Sequence, residues 1–333
     1  MTVHVEAECR PEPEVTRAAE RQPLDEHPSV VLRDISGRRR PNGHVIAFAN
    51  EKGGVGKSTL AFHCALALEH LGKRVLTVDC DRRQQTLHHL LDARDGTVRT
   101  LNVRLPQPKH LVLDVQSGAL LLQEIDRVGR DCDYVLVDLA GQDSATARRA
   151  IALADTVVTP LNASPADLDA LGSVSPISHS LRRIGPFARM VIGIREELQR
   201  FGLRPFDWVV VNNRVRQCER RLLASADRSL TVMAESLGFR IVPGLTERLA
   251  YRELLTFGIS HLDLKLIPGL DRMRNPHSRE LLQLIEGLRL PETRPLACAV
   301  APRRPRQPGV SPRVVESYRS ALFAATPVRA PVS

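Results

Sequence analysis

The sequence is poor in aromatic residues, which fill only 4% of its 333 positions. Base-stacking modes of single-strand nucleic-acid binding are therefore poorly supplied. Its six cysteines, at positions 9, 64, 80, 132, 218 and 298, form no Cys-Xaa-Xaa-Cys pair. That scatter argues against a zinc or iron–sulfur site and predicts a reduced, cytosolic chain. No His-Glu-Xaa-Xaa-His or Gly-Xaa-Ser-Xaa-Gly motif is present, so hydrolysis of peptide or ester bonds has no support. His88 and His89 are adjacent; on a helix such neighbours face different directions and do not chelate one ion together. No apolar run approaches the ~20 residues that span a bilayer. The opening Met1-Thr-Val-His-Val-Glu6 lacks a basic-then-apolar leader pattern.

What is present bounds the class. Hydrophobic residues make up 43% of the chain, enough for one large α/β domain with tails or two small domains. The net charge of +9 and pI near 9.7 point to a polyanionic partner. Residues 1–43 are polar, with eight acidic residues and seven arginines, three of them at Arg38-Arg39-Arg40. They predict a disordered N-terminal extension. Residues 290–333 hold eight prolines, seven arginines and two acidic residues, which predicts a basic, Pro-rich flexible tail. Within it, Val314–Phe323 has the pattern of a short amphipathic helix, either transient or a small membrane-docking segment.

Between the tails, residues 44–289 alternate apolar runs with helical stretches. Strands are expected at 45–49, 74–79, 134–138, 156–159, 208–212 and 240–242, with an extra edge strand at 101–105. Helices are expected at 58–71, 83–93, 119–129, 143–152, 166–182, 188–201, 215–236, 248–256 and within 275–289. The strands read as continuously apolar, the mark of strands covered on both faces. The fold class that follows is α/β: a doubly wound, mostly parallel sheet with helices on both faces and chemistry at the strands' C-terminal ends.

The most informative stretch is Glu51-Lys-Gly-Gly-Val-Gly-Lys-Ser-Thr59, set between the first strand and the first long helix. Glycines without Cβ let the backbone turn several N–H groups toward one anion, and the helix start adds its dipole. Gly53, Gly54, Val55 and Gly56 form the cradle, Lys57 reaches the β- and γ-phosphates, Ser58 ligates Mg²⁺ and Thr59 bonds the α-phosphate. Glu51 stands where the first glycine of the usual motif belongs, and a second lysine, Lys52, follows it. Two lysines do not share the space around one γ-phosphate cheaply. Lys52 is therefore expected to point outward, toward a phosphate on a facing subunit.

Asp79 and Asp81 close the second strand with alternate spacing, so they point to one side of an extended backbone. Asp138 ends the third apolar strand beside the loop, the arrangement that holds Mg²⁺ directly or through water. Gly141 follows, placed for its N–H to meet the γ-phosphate, so 138–145 would sense ATP against ADP. Ten of the eleven arginines in residues 195–252, including Arg195, Arg200, Arg204, Arg214, Arg228 and Arg252, crowd one region. They are either a non-specific double-stranded DNA surface or a solvated face paired with Glu196, Glu197, Glu219 and Asp227.

Lys52-Gly-Gly-Val-Gly-Lys-Ser-Thr59 resembles the deviant Walker A motif of the ParA/MinD ATPase superfamily. Asp207-Trp-Val-Val210, Gly238-Phe-Arg-Ile241 and Tyr251-Arg-Glu-Leu254 narrow the resemblance to the MipZ family of division-plane positioning ATPases. The resemblance implies an ATP-sandwich homodimer with Lys52 crossing the interface, slow dimer-dependent ATP hydrolysis, and ATP and Mg²⁺ as ligands. It implies that Asp81 positions the attacking water, Asp79 serves the metal's outer shell, and Asn213 reads the adenine edge. Pro243 and Gly244 would close the adenine pocket or act as ordinary loop residues. For DNA, Arg221 matches a contact position, while Ser225 and Thr246 stand at two others. The footprint would then centre on Arg216, Arg220, Arg221 and Arg248. A ParB-like protein and FtsZ are the implied partners, the nucleoid within the cytoplasm the implied location. A ParA-type partition ATPase is the near alternative, and an ATP-dependent metabolic ligase of the same fold is the alternative from another class.

Overall fold

The computed structural model describes residues 26–113, 117–162, 164–175, 177–213, 220–245, 249–270 and 278–292, leaving aside the side chains of 165–166, 220–225 and 249–252. Helices are α1 Pro28–Ser36, α2 Lys57–His70, α3 Thr86–Leu101, α4 Gly118–Val128, α5 Ala145–Leu153, α6 Pro165–Leu168, α7 Pro186–Arg200, α8 Arg220–Leu237, α9 Leu249–Thr256 and α10 Ser278–Leu288. Strands are β1 His44–Phe48, β2 Val75–Asp79, β3 Lys109–Val112, β4 Tyr134–Asp138, β5 Thr156–Asn162, β6 Gly172–Val174, β7 Leu181–Ile184, β8 Asp207–Asn213 and β9 Arg240–Pro243. Seven strands form one sheet in the order β3-β2-β4-β1-β5-β8-β9, and every described pairing in it is parallel.

Continuous apolar strands bury both faces because alternate residues serve opposite layers. Val45 and Ala47 pack with α1, α4, α5, α7 and α8 on one face. Ile46 and Phe48 pack with α2, α3 and α10 on the other. The expected doubly wound architecture is therefore met. The register also fixes the site: Phe48 lies beside Asp138, and Asp138 beside Asp79. The ends of three neighbouring strands thus stand in one row, with adjacent strands about 4.8 Å apart.

Several local expectations are corrected. Residues 101–105 are not an edge strand. Leu101, Val103 and Leu105 do alternate, but they do so to enter a small apolar cluster with Leu254, Ile259 and Leu264. The edge strand is β3, four residues beginning with Lys109. The helix expected over 166–182 stops at Leu168, and a β6–β7 antiparallel hairpin follows. Gly172-Ser-Val-Ser is a poor helix former, and a Cβ on Gly172 would sit 2.4 Å from the Arg183 carbonyl oxygen. Helix α3 begins at Thr86, not residue 83, because the Asp81 side chain accepts from the Arg83 and Gln84 N–H groups and folds a turn first.

The expected disordered extension over 1–43 also needs correction at 28–36. His27 caps α1 by accepting from Ser29 N–H, and Pro28 occupies its first turn. Val31, Leu32 and Ile35 are buried against the α5/α7 layer. Arg149 of α5 bridges to Glu26 and Asp34 at 2.9 and 2.6 Å. The polar composition concealed a helix whose three buried side chains share one face. Residues 1–25 and 293–333, with the rest of the expected tails, lie outside the described residues.

A buried ion pair anchors α3. Arg94 and Asp263 are fully buried, with Arg94 Nη1 2.7 Å from Asp263 Oδ2, and His70 Nε2 lies 2.8 Å from Asp263 Oδ1. Removing one partner of such a pair strands a charge in the interior.

Leu32→Ala is expected to lower the unfolding free energy by about 2–5 kcal/mol, measured by urea denaturation. A loss under about 0.5 kcal/mol, the size of a surface change, would show that α1 is not part of the folded core.

Candidate functional site

The loop after β1 is held from three sides. Asn50 Nδ2 donates to Pro160 O at 2.8 Å, and Asn50 Oδ1 accepts from Lys52 N–H at 3.0 Å. Buried Asn213 donates its amide to Val55 O at 3.1 Å and accepts from Leu245 N–H at 3.3 Å. Gly141 packs against the loop, and a Cβ there would lie 3.2 Å from Gly53 N. Gly54 and Gly56 adopt φ of 76° and 93°, the left-handed region that glycine tolerates best. The first turn of α2 then carries Lys57, Ser58 and Thr59.

Lys57 folds back so that Nζ donates to Lys52 O at 2.8 Å. Burial lowers its pKa, opposed by the charges of Asp138 and Asp81. Lys52 does not share that space. Its Nζ lies 3.2 Å from Asp167 Oδ1 of α6, with a third of its side chain exposed. The two lysines are thus directed apart, as their crowding requires.

Asp138 is fully buried, and among the described residues neither carboxyl oxygen meets full hydrogen-bonding geometry with a partner. Burial raises its pKa to about 8, opposed first by the Ser58 hydroxyl beside it. An orphaned buried carboxylate is costly. Here it lies beside the helix-start Ser58, and a carboxylate with a hydroxyl is an oxygen donor set that suits a hard divalent cation. Mg²⁺ therefore fits this pair of residues.

Asp79 and Asp81 take different parts. Asp79 is buried and accepts from Asp81 N–H at 2.9 Å and His88 N–H at 3.1 Å. Burial raises its pKa despite those bonds. Asp81 is partly exposed, one oxygen occupied by its own turn. Its charge reaches both Lys57 and Asp138.

The expected adenine residues separate. Asn213 is committed to bracing the loop, while Pro243 is exposed at the end of β9. A Cβ on Gly244 would lie 2.6 Å from Asn212 O, so that turn admits no side chain without a shift. A cavity of about 130 Å³ opens on the far side of the loop, lined by Asn50, Glu51, Leu139, Phe187 and Met190. Lys57, Ser58 and Asp138 are not in its wall, so it is not where phosphates would sit.

The arginine-rich region is divided. Arg195 donates to Gly238 O at 2.7 Å and lies over the Phe206 ring, and Arg200 pairs with Glu197 at 2.9 Å. Both serve local structure. Arg204 and Arg228 are exposed. Arg214, Arg216 and Arg248 lie outside the described residues, as do the side chains of Arg220, Arg221 and Arg252.

Sequence reasoning missed Asn50 as a brace and Asp167 as the partner of Lys52. An Asn two residues before Lys52 signals a side-chain turn; Asp167 is 115 residues away and carries no local signal.

Comparison with known proteins agrees with this geometry. Residues 44–292 match the family model described as ATPase MipZ. The chromosome-partitioning ATPase Soj of Thermus thermophilus is 30% identical, across 52% of this chain and 83% of its own length. Protein ParA of Rhizobium radiobacter is 28% identical, across 64% and 83%. Among solved structures, apo McdA of Cyanothece superposes with a TM-score of 0.51 at 19% identity, covering 74% of this chain and 98% of that one. That last likeness is one of fold.

Asp138→Asn provides a check of the buried carboxyl. An acid whose pKa rises from 3.8 to about 8 on folding favours the folded state while protonated in it. That contribution is complete below pH 3.8 and is lost as pH rises through about 8. Without metal, Asp138→Asn is expected to be the more stable protein at pH 9 and to lose its advantage at acid pH, measured by thermal melting. Equal melting curves across that range would contradict the reading.

Proposed function

This chain is an ATPase of the partition or positioning type and belongs to the MipZ family within the ParA/MinD superfamily, and we propose that it is an ATP-driven dimerising switch that positions the division site. The observation that carries the reading is the orphaned Asp138 carboxylate beside Ser58 and Lys57, at the mouth of a glycine loop. Gly53–Gly56 and the N–H groups opening α2 would hold the ATP phosphates. Lys57 would leave Lys52 O for the β- and γ-oxygens. Ser58 and Asp138 would hold Mg²⁺, with Asp79 in its outer shell; the ion neutralises charge on the transferring phosphoryl group. Asp81 would orient the attacking water.

The Lys52–Asp167 ion pair supplies the resting position of the crossing lysine. In the ATP dimer Lys52 would exchange Asp167 for the facing subunit's phosphate. Gly141, already against Gly53, would report the γ-phosphate to α5 through the turn at 141–144. Asn213 would hold the loop while its strand end borders the adenine, with Pro243 at the pocket rim. Joining two subunits doubles the arginine surface around Arg216, Arg220, Arg221 and Arg248 and sharpens non-specific DNA affinity by effective concentration. On the nucleoid such a dimer would inhibit FtsZ assembly, with a ParB-like protein recruiting the monomer.

Similarity to Soj, a chromosome-partitioning ATPase, favours a second reading as a partition ATPase. Inhibition of FtsZ polymerisation by the ATP-bound chain separates the two, and its absence overturns the division role.

Lys52→Ala is expected to bind ATP as a monomer, read by sedimentation with a non-hydrolysable analogue; a dimer of normal stability would remove Lys52 from the interface. Asp81→Ala is expected to retain DNA in the presence of ATP while hydrolysis falls at least about 10²-fold. Hydrolysis at the normal rate would overturn the water-positioning role. DNA retention should fall steeply with added salt, because phosphate contacts release counterions.

A further inference from the structure

We propose that His88, Asp92 and His110 form a binding site for a divalent transition-metal ion of the Zn²⁺ class, separate from the nucleotide site. One ligating atom from each lies within 4.8 Å of the others. His88 and Asp92 are one helical turn apart on α3, so they share a face. His110 comes from the edge strand β3, paired in register with Thr77. Its neighbour Leu111 packs toward the α4/α5 layer, which turns His110 to the opposite face, where α3 lies. The two imidazole rings stand 5.5 Å apart, and His88 Nε2 is 3.5 Å from Asp92 Oδ2. His88 Nδ1 is buried and has no hydrogen-bond partner among the described residues.

The chemistry of the set selects its ion. Two imidazoles and one carboxylate match Zn²⁺, Co²⁺ or Ni²⁺, whereas Mg²⁺ prefers an all-oxygen octahedron. Ligands on one tetrahedral ion sit about 3.3 Å apart, from bonds of about 2.0 Å. Closing from at most 4.8 Å to about 3.3 Å needs side-chain movements of up to about 1.5 Å, and Asp92 is 59% exposed and able to move. Three protein ligands leave an open position for water.

The site has a mechanical consequence. The His88 N–H holds the Asp79 carboxylate, and residues 81–85 form the turn before α3. An ion joining α3 to β3 fixes the first turn of α3 to the sheet edge, and with it the turn that carries Asp81. This inference does not rest on the ATPase reading; it would stand if the chain hydrolysed nothing.

The test uses full-length protein free of nucleotide, with excess Mg²⁺ present. Co²⁺ is titrated and its visible ligand-field absorption recorded, then Zn²⁺ is added in competition. The expected result is one Co²⁺ per chain, displaced by Zn²⁺. His110→Gln and Asp92→Asn should each weaken Zn²⁺ binding at least about tenfold, since loss of even an outer-shell partner costs 10- to 100-fold. His89→Gln should leave it unchanged, although its ring lies 5.8 Å from that of His88. Circular dichroism confirms that each variant folds. Zn²⁺ is also expected to slow amide exchange across 81–88 in the wild type and not in His110→Gln. Absence of a Co²⁺ spectrum, or Zn²⁺ affinity indifferent to His110→Gln, overturns the site. Unchanged exchange across 81–88 on saturation with Zn²⁺ overturns the clamp.

Discussion

A carboxylate buried with little beyond the Ser58 hydroxyl to satisfy it is the constraint on which the rest of this structure turns. Asp138 ends a strand apolar at every other position, in register with Phe48 on one side and Asp79 on the other. The interior that makes β4 stable is the interior that raises the carboxyl's pKa to about 8. A hydrophobic substitute would be more stable there. The site instead keeps a group that a cation or a proton satisfies best, and the folding energy of the sheet sustains it.

Around that group the fold supplies rigidity on one side and exchangeable contacts on the other. Asn50, Asn213 and Gly141 fix the loop through backbone atoms, so its N–H groups keep their direction without a ligand. The two lysines are held by contacts that phosphate can replace: a carbonyl for Lys57, a carboxylate for Lys52. Exposed or partly exposed ion pairs are worth about 0–1 kcal/mol, so Lys52 can leave Asp167 at low cost. Farther out, α1 packs on α5 through Arg149, and the Arg94–Asp263 pair anchors α3. Both supports lead to segments, 141–144 and 81–85, that border the loop.

The central architecture was legible because it follows from local apolar runs. The five strands nearest the loop were written in apolar runs rich in Val, Leu and Ile, and the helix after it in an Ala- and Leu-rich run, with the glycine motif between. Legibility failed where burial is shared among distant segments. Leu101, Val103 and Leu105 alternate as a strand would, but their partners come from residues beyond 250. The edge strand β3 is four residues with lysine first, too short and polar to be seen. Three buried side chains in α1 were lost in a charged stretch. The phosphate-loop residues could be named from spacing. The partners of Lys52 and His88 could not, because Asp167 and His110 reach them only through the topology of the sheet.

With burial raising its pKa to about 8, Asp138 is expected to stay largely protonated until a cation arrives with the nucleotide. Calorimetry of a preformed Mg²⁺ complex of a non-hydrolysable ATP analogue at pH 7, in buffers of differing ionisation enthalpy, reads the protons exchanged directly. With a pKa of about 8, binding should release close to one proton per chain, and Asp138→Asn should release none. Binding with no net proton release by the unaltered chain would contradict the account.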